Sequence, residues 1–287
     1  MQPLILDLDG SVGALPDAVR IDVHDWHDRL RFACSRRQLQ AFGEHLSTVL
    51  PASYGTIFFG SGDFHHLSLP LIARAAAASS QPLRVLVFDN HPDNMRFAFG
   101  VHCGSWVSRV AALPTVARVD VVGITSGDIG LAHAWENRLG PLYRGRLRYW
   151  SIGVDTGWAN RIGLGGAFRN FDSADALMTA LLDEFDSDDA AVYLSIDKDV
   201  LDPSEARSNW DQGSLRVAHL QAAIAALRDR LVGSDVNGEV SLAHYPQRWK
   251  RMLSAVDQQP TLDATSLAAL QSQQHAVNLA LWQTFLT

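Results

Sequence analysis

Short hydrophobic runs alternate with longer amphipathic stretches along nearly the whole chain. Runs at residues 4–8, 56–59, 84–88, 117–124, 147–152, 191–196 and 236–240 have the length and the β-branched or aromatic content of strands. Between them, residues 37–49, 67–78, 106–113, 174–185 and 215–231 carry apolar positions at helical spacing, and a last such stretch spans 264–285. This alternation predicts an α/β fold of three layers, α/β/α, built on a mainly parallel sheet covered on both faces. No Pro-, Gly- or Ser-rich linker and no repeat interrupts it, so residues 1–287 read as one domain.

The polar residues that end these runs carry the chemistry. Asp89, His91 and Asp93 follow one run, and Asp197 and Asp199 close another. A third run ends in Gly60-Ser61-Gly62-Asp63-Phe64-His65-His66. Ligands of parallel sheets bind beyond the carboxyl ends of the strands, which is where all three clusters fall. Asp is also a common helix cap, but three clusters in register with strand ends exceed what capping requires. Four carboxylates in one apolar neighbourhood need cations to balance them. Oxygen-rich ligation with two imidazoles suits Mn²⁺ or a similarly hard ion better than a thiolate-type zinc site. Four Asp charges balance two divalent ions, which together acidify a water near neutral pH.

Composition narrows the partners. With 47% hydrophobic and 19% charged residues the chain has material for a large core. A net charge of -7 without any Lys/Arg block argues against nucleic acid and against an anionic membrane surface. Cys34 and Cys103 are the only cysteines, as expected of a reducing compartment rather than a disulfide framework. The first residues lack a basic, secretory-type lead and no apolar run reaches membrane-spanning length, so the expected location is cytoplasmic.

Gly62-Asp63-Phe64-His65-His66, Asp89-x-His91-x-Asp93 and Ser195-Ile196-Asp197-Lys198-Asp199-Val200-Leu201-Asp202-Pro203 resemble the metal motifs of the arginase/agmatinase (ureohydrolase) family. The resemblance spans roughly residues 55 to 245. It implies an arginase-like sheet, two Mn²⁺ per subunit, a small guanidino or amidino substrate cleaved at a C–N bond, and a homo-oligomer. By the same resemblance Asp89 and Asp197 bridge the two ions, His65 and Asp93 complete one, and His91 and Asp199 complete the other. Gly100-Val101-His102-Cys103-Gly104 resembles the family loop whose histidine shuttles protons, which makes His102 the proton-transfer candidate, with a pKa expected near the working pH. Asn237-Gly238-Glu239-Val240-Ser241 resembles the late strand whose glutamate pairs with a guanidinium, a planar two-point contact.

The chain also departs from that pattern. Phe64 intervenes between Asp63 and the histidines; aligning His65 with the family ligand sets Leu67, Leu69 and Ile72 on the expected helix face, so His65 is preferred and His66 stays open. Lys198 stands between two ligating acids, where strand alternation points it away from the metals and toward an acid on the other side. Residues 204–213 replace the family's Gly/Pro-rich substrate loop, and Asn94-Met95-Arg96 replaces its polar substrate contacts. Arg96 and Arg207 are candidates for a substrate carboxylate or phosphate. Two other readings of the scaffold are hydrolysis of an amide such as an acetylated amine, and a catalytically silent metal-binding protein. A separate motif, Asp7-Leu8-Asp9-Gly10 after an apolar strand, resembles the nucleophile motif of haloacid-dehalogenase-type phosphatases, although no convincing Lys accompanies it.

Overall fold

The structure, a computed structural model, describes residues 1–186, 188–242, 245–256 and 264–286. Eleven strands are present among them: β1 (Leu4–Asp7), β2 (Val19–Asp22), β3 (Ala33–Cys34), β4 (Ile57–Phe59), β5 (Leu83–Phe88), β6 (Val101–His102), β7 (Val116–Ile124), β8 (Leu147–Ile152), β9 (Phe168–Phe171), β10 (Val192–Asp197) and β11 (Leu231–Asn237). Nine of these form one sheet in the order β2-β1-β4-β11-β10-β5-β7-β8-β9, and every pairing in it is parallel. The remaining two, β3 and β6, make a short antiparallel ribbon. The three-layer arrangement predicted from the alternation is the one the chain adopts.

Both faces of the sheet are buried, so alternate residues of one strand enter different cores. Leu4 and Leu6 of β1, Ile57 and Phe59 of β4, and Val85 and Val87 of β5 pack with Phe42 and Leu46 of the helix Arg36–Val49 and Leu71 and Ile72 of the helix Ser68–Ala78. Ile5, Phe58, Leu86 and Phe88 face the other way. There they meet Leu177 and Leu181 of the helix Ala174–Asp186, Leu220 and Ile224 of Val217–Leu227, and Val277 and Leu281 of Ala264–Leu286. No helix among the described residues is long and apolar enough to cross a membrane.

The differences from the sequence reading have physical causes. Strands β2 and β9 are the sheet edges and are largely exposed or half-buried, so they lack a continuous apolar run. Strand β11 begins at Leu231 and ends at Asn237, earlier than the predicted 236–240, because its middle carries the buried polar residues Ser234 and Asp235. The helix expected at 106–113 is only Val107–Val110, and the one expected at 215–231 stops at Leu227.

Away from the acid clusters, Asp120 on β7 is fully buried and joins Arg84 of β5 (3.0 Å), Arg118 (3.1 Å) and Arg148 of β8 (2.8 Å), with the Trp150 indole N–H donating to it as well (3.0 Å). Burial alone would raise its pKa, but Arg148, Arg118 and Arg84 override that and hold it below the ordinary carboxylate range. A depressed native pKa gives stability that is present above the unfolded value of about 3.9 and lost as pH falls through the native one. Asp120→Ala removes the buried carboxylate that three arginines share, leaving them Glu184 and Asp188, and is expected to cost about 1–3 kcal/mol in denaturant unfolding at neutral pH. A loss near zero would show that the cluster contributes nothing.

Candidate metal centre

Strands β4, β11, β10 and β5 lie side by side, so their carboxyl ends open onto one place. Asp89 directly follows β5, Asp197 closes β10, and Glu239 lies two residues past β11. Beyond β4 the chain turns into the 3-10 segment Gly62–Leu67, started by the Ser61 hydroxyl, which accepts from the Asp63 N–H (3.2 Å). That tight turn sends its two histidines in different directions. His65 enters the acid cluster; His66 is fully buried elsewhere. Phe64, the extra residue of the motif, is buried in the core. Asp63 holds Arg31 (2.7 Å) and the Tyr245 hydroxyl (2.9 Å), so it serves the scaffold.

Two groups of ligating atoms result, one of His65, Asp89 and Asp93 and one of Asp89, His91 and Asp199, sharing Asp89. Nδ1 of His65 is 3.0 Å from Asp89, 3.1 Å from Asp93 and 3.4 Å from Asp197. Nδ1 of His91 is 2.9 Å from Asp199 and 3.6 Å from Asp89. The partners of His65 assign its tautomer. Ser195 Oγ spends its proton on Asp235 (2.7 Å) and so accepts from the Nε2–H of His65 (3.1 Å). Asp235 also accepts from Tyr193 (2.7 Å) and Ser68 (2.9 Å). Nδ1 is thereby left as a lone pair aimed at carboxylate oxygens, and Asp89 Oδ2 accepts no hydrogen bond. A lone pair facing carboxylates needs a cation between them, a proton or a metal ion. The donor set therefore fits divalent metal.

Charge in the cluster behaves accordingly. Burial would depress the His65 imidazole, but Asp89 and Asp93 outweigh it and raise it well above its usual value. His91 is raised likewise, its burial offset first by Asp199. Burial, then the charge of Asp89, pushes Asp93 and Asp199 each up to about 7. Burial and then Asp199 raise Asp197 well above the usual range. Backbone and indole donors fix the geometry: His91 N–H to Asp89 (2.6 Å), Asp199 N–H to Asp197 (3.0 Å), Asn90 N–H to Asp199 (3.0 Å) and Trp106 Nε1–H to Asp93 (2.6 Å). Gly238 is the position that demands glycine. Its φ is +87° and a Cβ there would stand 2.3 Å from Asp197 and 2.5 Å from the Lys198 nitrogen.

No family model matches the chain. Among curated proteins, an uncharacterized protein of Thermotoga maritima is 35% identical over 78 residues, which are 27% of this chain and 30% of that protein. The match thus spans less than a third of the curated relative. Solved structures resemble the whole chain. The arginase of Bacillus subtilis superposes with a TM-score of 0.57 at 15% identity, over 98% of this chain and 97% of that one. The proclavaminate amidino hydrolase of Streptomyces clavuligerus gives 0.54 at 18% identity, over 99% and 92%. The chain has the arginase fold. Trypanosoma cruzi formiminoglutamase, solved with Mn²⁺, gives 0.53 at 13% identity, over 87% and 70%.

In this arginase fold a cavity of about 170 Å³ opens over the cluster, lined by His65, Asp89, His91, Asp93, Asp197, Asp199 and His102, with Met95, Asp128, Glu136, Asn137 and Trp210 farther round. His102 accepts from the Gly104 N–H at Nδ1 (2.9 Å) and packs edge-on against Phe32. Burial pushes its pKa down to about 4, below the near-neutral value expected from the sequence. Glu239 does not line the cavity. Its Oε1 takes the fully buried Lys198 ammonium (2.5 Å) and the Asn278 amide (2.6 Å), which also binds Lys198 (2.8 Å). Lys198 does turn away from the ligands to an acid behind them. Arg96 and Arg207 are absent from the lining, whereas the remodelled stretch 204–213 returns to the centre through Trp210 and through Asp211, which holds Nε2 of His91 (2.9 Å). The sequence reading missed Trp210, Asp211, Ser195 and Asp235. Ser195 stood inside the quoted motif, but nothing in the sequence separates its role from that of an ordinary strand residue.

Asp9, of the phosphatase-like motif, spends its carboxylate on Ser11 (2.5 Å), the Ser61 N–H (3.3 Å) and Ser241 (2.8 Å). It ties the end of β1 to the loops around the centre. Ser195→Ala removes the acceptor that fixes the His65 tautomer and is expected to weaken Mn²⁺ affinity about 10–100-fold in a competition titration with a metal buffer. Unchanged affinity would refute that role.

Proposed function

We propose that the chain is a divergent ureohydrolase: a hydrolase holding two Mn²⁺ ions that cleaves a C–N bond of a small guanidino or amidino compound. The observation that carries this is the pair of three-residue candidate ligand groups sharing Asp89 in the lining of the cavity. His65, Asp89 and Asp93 would hold one ion and Asp89, His91 and Asp199 the other, with Asp197 as the second bridge. When bound, the ions would supply Lewis acidity and an acidified water at neutral pH. The resemblance to arginase and agmatinase supports a homo-oligomer and a cytoplasmic setting as parts of the same reading.

The chain's own groups set up the reaction. His102 is uncharged at neutral pH and its Nδ1 is taken by the Gly104 N–H, so its proton sits on Nε2 as a donor at the cavity wall. Asp128 and Glu136 give the outer cavity a negative lining that favours a cationic substrate. Trp210 provides an apolar, stacking wall that limits water.

A second reading, hydrolysis of an amide such as an acetylated amine, is favoured by one specific contact. Lys198 already neutralises Glu239, the carboxylate that by family resemblance would pair with a guanidinium. A neutral amide has no need of that carboxylate.

With Mn²⁺ supplied, a panel of guanidino compounds is expected to yield urea, and Asp89→Asn and Asp197→Asn are each expected to lower both metal content and turnover by about 1000-fold or more in rate. Acetate from acetylamines without urea from guanidines would select the amide reading. Metal uptake with no turnover on either panel would overturn both.

A further inference from the structure

A second cleft, outside the metal cavity, is lined by Arg36, Arg96, Arg109, Arg138 and Arg144, together with the buried Ser108 and no acidic residue. The chain as a whole carries a net charge of -7, so this convergence of positive charge runs against its overall composition. None of the five guanidinium groups forms an ion pair among the described residues. What bonds they make go to backbone carbonyls, Arg109 to Gly100 (2.7 Å) and Arg96 to Asn137 (3.2 Å). Nε of Arg109 is buried without any acceptor. Burial, and after it the like charges of Arg36 and Arg138, lowers the Arg109 pKa. Elsewhere in this protein grouped arginines are neutralised, as Arg84, Arg118 and Arg148 are by Asp120 and Glu184.

The five come from separate parts of the chain. Arg36 opens the helix Arg36–Val49, Arg109 lies in Val107–Val110, and Arg144 follows Leu139–Tyr143. Arg96 and Arg138 each follow one member of the bridge between Met95 and Asn137. Met95 and Asn137 line the metal cavity, so adjacent residues of the same two segments face two different sites.

We infer that this arginine cleft is a binding site for a small polyanion carrying two linked phosphoryl groups, with pyrophosphate as its simplest form. Guanidinium forks match phosphoryl oxygens two at a time, and five of them exceed what one tetrahedral anion can engage. The cleft, at about 540 Å³, has the capacity for such a ligand. Bound there, the anion would pair guanidinium groups that have no carboxylate partner among the described residues.

The test is calorimetric titration of the Mn²⁺-loaded protein with inorganic pyrophosphate and with inorganic phosphate, with metal content measured before and after. The expected result is one pyrophosphate per chain, bound at least tenfold more tightly than phosphate. Arg109→Gln combined with Arg138→Gln is expected to weaken pyrophosphate at least tenfold with Mn²⁺ content unchanged, and Arg216→Gln, on a surface elsewhere, to leave it unchanged. Should the first pair fail to fold, the exposed pair Arg36→Gln and Arg144→Gln decides by the same tenfold criterion. Absence of saturable binding would overturn the inference. So would undiminished pyrophosphate binding by the arginine variants, or heat that tracks loss of Mn²⁺, since the anion would then be acting at the metal centre.

Discussion

Negative charge brought together out of water is the constraint on which the rest of this structure depends. Four adjacent parallel strands open their ends on one another, and the chain places Asp89, Asp93, Asp197 and Asp199 there, all nearly excluded from solvent. Buried carboxylates this close are unfavourable unless each oxygen has a donor or a cation. Donors are supplied by backbone N–H groups from the same loops and by the Trp106 indole. They fall short at Asp89 Oδ2, which faces Nδ1 of His65 at 3.0 Å. The shortfall is where a metal would bind.

Behind the candidate ligands stands a second, equally buried layer of polar residues. Asp235 collects Ser68, Tyr193 and Ser195 and through Ser195 fixes the ring of His65. On the other side of β10, Lys198, Glu239 and Asn278 close a triangle beneath the ligands. A 3-10 turn over Lys198–Val200, capped by the Asp197 carboxylate that accepts from the Asp199 N–H (3.0 Å), separates these layers: Asp197 and Asp199 line the cavity while Lys198 between them is buried against Glu239. The internal ammonium makes Glu239 electrically complete without a substrate, and this is the feature that most separates the chain from the motif it resembles.

Much of this was legible in the sequence. The interior strands β1, β4, β5, β7, β8 and β10 announce themselves because burial on both faces demands continuous apolar runs, and the gathering of acids and His65 follows because they sit at the ends of those runs. The edge strands β2 and β9 were not legible, since half-exposed strands need no such run. Strand β11 was misplaced for the opposite reason, its buried Ser234 and Asp235 resembling a loop. The choice between His65 and His66 is decided by a 3-10 turn that the residue pattern does not encode. Pairings between distant segments, such as Lys198 with Glu239, Asp211 with His91, and the gathering of five arginines in one cleft, depend on tertiary placement and leave no local signal. The Asp7/Asp9 motif misleads because an acid at a strand end has more than one use; here Asp9 holds loops together.

The central claim is that the convergence of Asp89 with its two histidine-bearing groups is a two-ion site. Anomalous diffraction at the manganese edge, from crystals of the protein grown with Mn²⁺, tests it most directly. The account predicts two peaks separated by about 3.5–4 Å, one among His65, Asp89 and Asp93 and the other among Asp89, His91 and Asp199. No anomalous density among these residues, with their side chains packed against one another as a closed hydrogen-bonded cluster, would contradict it.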